Sequence, residues 1–145
     1  MNAQPPIEWK LSLRAPPGRV YERWTTDKGR ASFWAERSRP IAGGFELCFV
    51  NGVTLAVPVI EARSPDLFSF GYFGGSTVSL DFEPDGRGGC DLRLTETGLR
   101  TPEDREENRA GWVSVLLALK AAVDFRLDIR SHDPSRTWDQ GFVDC

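Results

Sequence analysis

The sequence predicts an α+β domain in which a curved antiparallel β-sheet wraps a long C-terminal α-helix, with two short helices after the first strand. Three observations carry that expectation. Residues 7–14 alternate apolar and polar side chains, residues 40–97 repeat strand-like runs between tight turns, and Thr101 to Lys120 opens like a helix and continues with apolar residues at helical spacing. An antiparallel sheet with one apolar face needs a cover, and only the C-terminal helix is long enough to supply it.

Taken in order, "IEWKLSLRA" sets Ile7, Trp9, Leu11 and Leu13 against Glu8, Lys10, Ser12 and Arg14, the period-2 signal of a half-buried strand. "PPGRVYERWTTDKGRASFW" changes period: Pro16 and Pro17 suit a helix start, and Val20, Tyr21 and Trp24 share one helical face. Gly18 and Gly29 divide the segment, so two short helices are expected, the second opening near Thr26 and Asp27 and closing near Phe33. From Pro40 to Thr97 about five strands follow. Asn51-Gly52 marks a hairpin because both residues tolerate positive φ, and Asp85-Gly86 with Gly88-Gly89 marks another. Pro58 within a strand pattern points to an edge or a bulge.

Thr101 is the expected N-cap of the long helix, with Pro102 at its first position and Asp104 three residues on, close to a capping box. Trp112, Leu116, Leu119 and Val123 form its apolar face. The helix is expected to reach about Arg130, before "SHDP" and the restriction Pro134 places on the residue ahead of it. The remainder, residues 131–145, lacks a period yet contains Trp138 and Phe142, which are costly to expose. This tail is expected to dock on its own domain or on a second subunit, which makes a homodimer one expectation.

At 145 residues and 40% hydrophobic content the chain fits one domain spanning residues 1–145. A net charge of −3 and a pI near 5.2 provide no global basic field, which disfavours nucleic acid as a partner. No run approaches the roughly 20 apolar residues that span a bilayer, and "MNAQPPIEWK" lacks the features of a signal peptide, so a cytoplasmic protein without membrane contact is expected. Cys48, Cys90 and Cys145 are too dispersed for a CxxC pair; the first two lie in predicted strands and read as small buried hydrophobes. One histidine, His132, cannot build the usual zinc sites and reads as a helix-end or loop residue. No metal or cofactor is expected.

The glycine-rich "FGYFGGS" and "PDGRGG" lack the phosphate-loop pattern and read as turns. Ser76 and Ser79 have no histidine to activate them. Among strand carboxylates Glu46, Glu61, Asp81 and Glu96, period-2 geometry turns Glu61 the same way as Val57 and Val59. If those valines face the helix, Glu61 stands at a pocket rim as an anchor or general base; the alternative is an outward Glu61 paired with an arginine such as Arg63 or Arg93. The aromatic residues exceed what a minimal core needs, and pockets are lined by such groups. Strand parity groups Phe68, Phe70 and Tyr72, and groups Val78, Leu80 and Phe82, on faces that meet Trp112, Leu116 and Leu119, although Leu67 and Phe73 are apolar on the opposite register. The expected pocket lining is Phe33, Trp34, Phe49, Glu61, Phe70, Tyr72, Leu80, Phe82, Trp112, Leu116 and Leu119.

The element order, with "APPGRVYERWT", "FWAE", "VIEARSPDLF", "STVSLDFEPDGRGGCDLRLTETGL" and "GWVSVLLALK", resembles the SRPBCC superfamily, the START-like helix-grip fold, and within it the family of activator of heat-shock-protein-90 ATPase homologues. Some members carry an ending like "DIRSHDPSRTWDQGFVD". The resemblance implies a deep pocket between helix and sheet, used in the superfamily for apolar ligands, polyketide cyclisation or protein partners. Chaperone activators of this family pair such a domain with a separate chaperone-binding domain, for which this chain has no room, so direct stimulation of the chaperone is not expected. The leading expectation is a binding protein for an apolar or amphipathic small molecule without covalent catalysis. The alternatives are a polyketide cyclase or dehydratase-like enzyme, with Glu61 or Tyr72 handling a proton, and a chaperone-activator-type interaction module.

Overall fold

A computed structural model of the chain describes residues 3–145. Strand β1 (Ile7–Leu13) leads through Pro16 into helices α1 (Pro17–Thr25) and α2 (Asp27–Ala31). Strands β2 (Arg37–Ile41), β3 (Gly44–Cys48), β4 (Thr54–Arg63), β5 (Leu67–Tyr72), β6 (Ser76–Pro84) and β7 (Cys90–Thr97) follow, and α3 (Pro102–Phe125) closes the helical part. The sheet is antiparallel throughout in the order β1-β7-β6-β5-β4-β3-β2.

Parity is now decided. Phe68 and Phe70 of β5, Val78, Leu80 and Phe82 of β6, and Leu92 and Leu94 of β7 are buried and share the core with Trp112, Leu116 and Leu119 of α3. Phe33, Trp34, Trp24 and Tyr21 complete this core from the α1–α2 side. At roughly 25 cal/mol per Å² of apolar surface removed from water, each such ring is among the largest single contributions to stability.

Local chemistry accounts for the element ends. Thr26 caps α2 by accepting from the Gly29 amide, and a Cβ at Gly29 would lie 2.4 Å from the Arg23 carbonyl oxygen, so the two short helices can meet only at glycine. Thr101 accepts from the Asp104 amide at 3.1 Å and starts α3 as expected. Asp85 Oδ1 accepts from the amides of Arg87 and Gly89, which shapes the β6–β7 turn.

Three expectations require correction. Among the described residues the sheet has seven strands rather than about six, because β2, "RSRPI", has no apolar alternation; as an edge strand with Pro40 it is held by pairing with β3 and by Ser38, which bonds Asp27 and Arg30 of α2. Helix α3 ends at Phe125, five residues before Arg130. Arg126 turns into the left-handed region (φ 55°, ψ 39°), its amide and that of Leu127 both bond the Ala121 carbonyl, and the chain leaves the helix axis. Glu61 does not face the helix. The β4–β5 register shifts between Val59 and Glu61, so Val59 pairs with inward Phe70 whereas Glu61 pairs with Ser69 on the outer face. A bulge inserts one residue and reverses parity beyond it. Glu61 is half-exposed and bridges Arg63 at 2.9 Å.

Candidate ligand site between the sheet and the C-terminal helix

A carboxyl group lies buried in the ring-rich core between sheet and helix. Glu96 of β7 is fully buried and is the only acidic residue among the inward-facing strand positions of the described residues. Strand β7 alternates Cys90, Leu92, Leu94 and Glu96 toward the helix, so the position that would continue an apolar row carries an acid instead. It receives three hydrogen bonds: from Trp112 Nε1 to Oε1 at 2.8 Å, from Asn108 Nδ2 to Oε2 at 3.0 Å, and from the Ser76 hydroxyl to Oε2 at 2.5 Å. Asn108 and Trp112 stand one helical turn apart, which is how a single helix presents both donors to one acid. An isolated buried carboxylate would cost several kcal/mol; three donors offset much of that cost.

A cluster of rings adjoins this group through Trp112. Tyr72 and Trp112 lie with centroids 4.7 Å apart, and Trp34 is 5.9 Å from each. Phe70 and Trp24 close the box at 5.3 Å and 5.0 Å from Trp34. Trp34 Nε1 donates to the Tyr72 hydroxyl at 3.3 Å. Burial raises the Tyr72 pKa above its ordinary value, and the neighbouring Glu96 adds to the effect, so this phenol stays neutral and does not act as a base. Trp24 is fully buried, and its Nε1 is the one buried side-chain donor or acceptor among the described residues without a protein partner.

The expected lining residues divide into groups. Trp34, Phe70, Tyr72 and Trp112 form an aromatic box that meets Glu96 at Trp112, with Phe33 behind it against Trp24 at 4.8 Å. Leu80, Leu116 and Leu119 are buried below it, and Phe82 packs at the far end of the core against Tyr21 at 5.2 Å. Phe49 lies just past β3, between Phe73 and Trp138. These rings fill the interior closely. Of the two cavities that stand out, a shallow depression of about 650 Å³ lies outside, over Trp9, Arg105 and Arg109, and a small void of about 10 Å³ meets the box only at Trp34. Glu96, Ser76, Asn108 and Trp24 were not expected as site residues. An inward Glu96 follows from β7 alternation once Leu92 and Leu94 are taken as core; the unpaired Trp24 indole left no trace in the sequence.

Cys90 and Cys48 lie apart from this site. Cys90 is buried, and burial pushes its pKa up to about 11; Cys48 is half-buried on the outer face, where its Sγ accepts from Arg37 Nη2 at 3.4 Å. His132 lies in the tail, away from the box, with its ring nitrogens at 2.6 Å from Glu36 and 2.7 Å from Asp128.

The family model described as Activator of Hsp90 ATPase homolog 1-like protein matches residues 14–124, which run from the end of β1 through almost all of α3. The chain belongs to this family. Solved structures agree with the assignment at the level of the fold. Protein SSP2350 from Staphylococcus saprophyticus superposes with a TM-score of 0.76 at 20% identity, covering 87% of this chain and 96% of that one. The Aha1 dimer from Colwellia psychrerythraea gives 0.74 at 21% identity, with 84% and 98% covered. DynU16, described as a putative protein in the dynemicin biosynthetic locus, gives 0.73 at 18% identity; 86% of this chain matches 49% of that one. No curated protein matches the chain in sequence. The family match ends at Asp124, so the last 21 residues (145 − 124), including the tail, lie outside it.

Proposed function

We propose that this member of the family binds a small, planar, amphipathic molecule in the aromatic box beneath α3, with Glu96 accepting a hydrogen bond from the ligand and Trp24 Nε1 donating one. The reading is carried by two polar groups buried in one ring-rich core: a fully buried carboxyl group and a buried indole N–H with no protein acceptor. Buried donors are nearly always paired, and one left open costs about 1–3 kcal/mol, so a ligand carbonyl or hydroxyl would relieve a standing penalty. Binding requires Trp34 or Tyr72 to yield space, since both now occupy the box.

The family setting and the DynU16 likeness favour an aromatic or polyketide-like ligand within this class. Turnover of such a ligand would fall to Glu96 rather than Glu61, because Glu61 stands on the outer face. Self-association is a further proposal, supported by exposed Val113 and Leu117 on the outer side of α3 and by the dimeric Colwellia relative.

The test is native mass spectrometry of freshly purified protein, together with thermal shift and tryptophan fluorescence in 2-naphthol, a planar probe that both donates and accepts. A releasable extra mass, or a saturable 2-naphthol response weakened about tenfold in Glu96→Gln, is expected; tenfold corresponds to about 1.4 kcal/mol, the scale of one hydrogen bond. A bare mass together with no response to millimolar 2-naphthol would sink the reading.

A further inference from the structure

The last 20 residues, 126–145, cross the surface beside Trp34, where Arg130, Trp138 and Cys145 border a small void next to that ring. We propose that this segment is a lid over the Trp34 edge of the box, hinged at Arg130 and latched next to the hinge by His132. The proposal rests on the ligand site described above and adds how that site opens.

The attachments of the segment differ in kind along its length. At the hinge the Arg130 side chain is 5% exposed and donates to the carbonyls of Ala31 at 2.8 Å and Ala35 at 2.9 Å, with Asp128 completing its bonds. Those carbonyls belong to the turn that carries Phe33 and Trp34, so the hinge and the box wall are one unit. Beyond it Thr137 is buried, and the remaining contacts to the domain are few. His132 Nδ1 meets Glu36, Asn51 Nδ2 donates to Asp139 at 3.1 Å, and the Trp138 ring rests against Phe49 with centroids 5.9 Å apart. Exposed contacts of this kind are worth little singly, which places the segment at the low end of opening free energies.

The outer half is also organised within itself. Thr137 and Gln140 form a reciprocal cap, Gly141 adopts the left-handed conformation, the Ser131 amide bonds the Asp144 carbonyl at 2.6 Å, and Arg136 stacks on Phe142. A segment that satisfies its own backbone and grips the domain through a few side chains can move as a body without unfolding. Under it lies the void of about 10 Å³ bordered by Trp34, Phe49, Arg130, Trp138 and Cys145. Lifting the outer half would expose Trp34 and Phe49 and give a ligand its path to Tyr72 and Glu96.

His132 makes the closure depend on pH. Its two ring nitrogens each face a carboxylate, Glu36 from the turn after α2 and Asp128 from the hinge, so both bonds form only when both nitrogens carry protons. Asp128 is shared with Arg130, which adds one positive charge nearby. Burial draws the His132 pKa down, but the hydrogen bonds and charges of Glu36 and Asp128 outweigh it and leave the pKa raised in the closed form. The contribution of His132 to closure is therefore complete below its open-state pKa and is lost as pH rises through the raised closed-state value.

Hydrogen exchange of the indole N–H groups followed by NMR tests this directly in the full chain, in Trp138→Ala and in His132→Gln. With a lid, the Trp34 indole exchanges at least about tenfold faster than that of Trp112, without denaturant dependence, and faster again in Trp138→Ala. After correction for intrinsic exchange, its opening rises between pH 6 and pH 8.5 in the natural chain and stays flat in His132→Gln. Trp138→Ala would also speed 2-naphthol association. Exchange of Trp34, Ser131 and Trp112 through a single global opening overturns the lid. Separate Trp34 exchange with no 2-naphthol binding in any variant leaves the lid standing and rejects the ligand reading.

Discussion

Glu96 and Glu61 have the same side chain on neighbouring parts of one sheet, and their surroundings give them opposite roles. Glu96 stands at the end of an unbroken alternation, so the pleat delivers it to the interior, where Trp112, Asn108 and Ser76 supply the donors it needs. Glu61 follows a bulge and meets Arg63 in solvent. Replacing Glu61 with alanine is expected to change stability by less than about 0.5 kcal/mol in urea unfolding, as exposed ion pairs contribute little. Trp112 lies at the other extreme. It is 1% exposed and both fills the core and donates to Glu96, so Trp112→Ala should cost on the order of 3–5 kcal/mol. Trp112→Phe separates the two roles: it keeps most of the ring and removes the donor, and a loss of about 1–3 kcal/mol that shrinks when combined with Glu96→Gln would show that the hydrogen bond carries it.

At the scale of elements, α3 shows how local chemistry and tertiary demand divide the work. Its start is local. Thr101 caps, Pro102 supplies a preset φ, and Glu103 and Asp104 complement the helix dipole, so Thr101→Ala should lower stability by about 1 kcal/mol, seen as a reduced denaturation midpoint with unchanged slope. Its end is set elsewhere. Nothing in "FRLDIRS" stops a helix by propensity, yet Arg126 accepts a left-handed backbone that costs roughly 1–2 kcal/mol, because leaving the axis there lets Arg130 reach two buried carbonyls. The same division explains why β1, the Asn51-Gly52 hairpin and the helix cap were legible, whereas β2 was not. Strand β2 lacks alternation and draws its hydrogen bonds from a neighbour already in place.

For the whole molecule, the tail links the end of the chain to the turn after α2. The carboxyl of Asp128 is pushed up by burial but pulled down further by Arg130 and His132, to about 2, while His132 is raised by the same contacts. The Asp128 share of stability is present above its unfolded pKa and fades only as pH falls toward about 2; the His132 share is present below the unfolded histidine pKa and fades as pH rises through its raised folded value. Thermal unfolding should therefore show a modest decline from pH 6 to pH 9 that His132→Gln removes, modest because His132 remains 39% exposed. Among the described residues no helix is long and apolar enough to cross a membrane.

By itself the sequence determined the α+β class, the order of elements, and the grouping of Phe68, Phe70 and Tyr72 with Val78, Leu80 and Phe82, because periodicity, turn residues and caps act over a few neighbouring positions; the family came from the resemblance of its motifs, which the family match over residues 14–124 bears out. Only the tertiary structure decided which strand face is concave, that a bulge sends Glu61 outward, that Glu96 and an unpaired Trp24 indole are both buried in one ring-rich core, and that α3 ends at Phe125 so that Arg130 reaches the turn after α2. Those features depend on register and on partners up to 99 residues apart, such as Arg130 on the Ala31 carbonyl, and no local pattern encodes which of several compatible partners a side chain will meet.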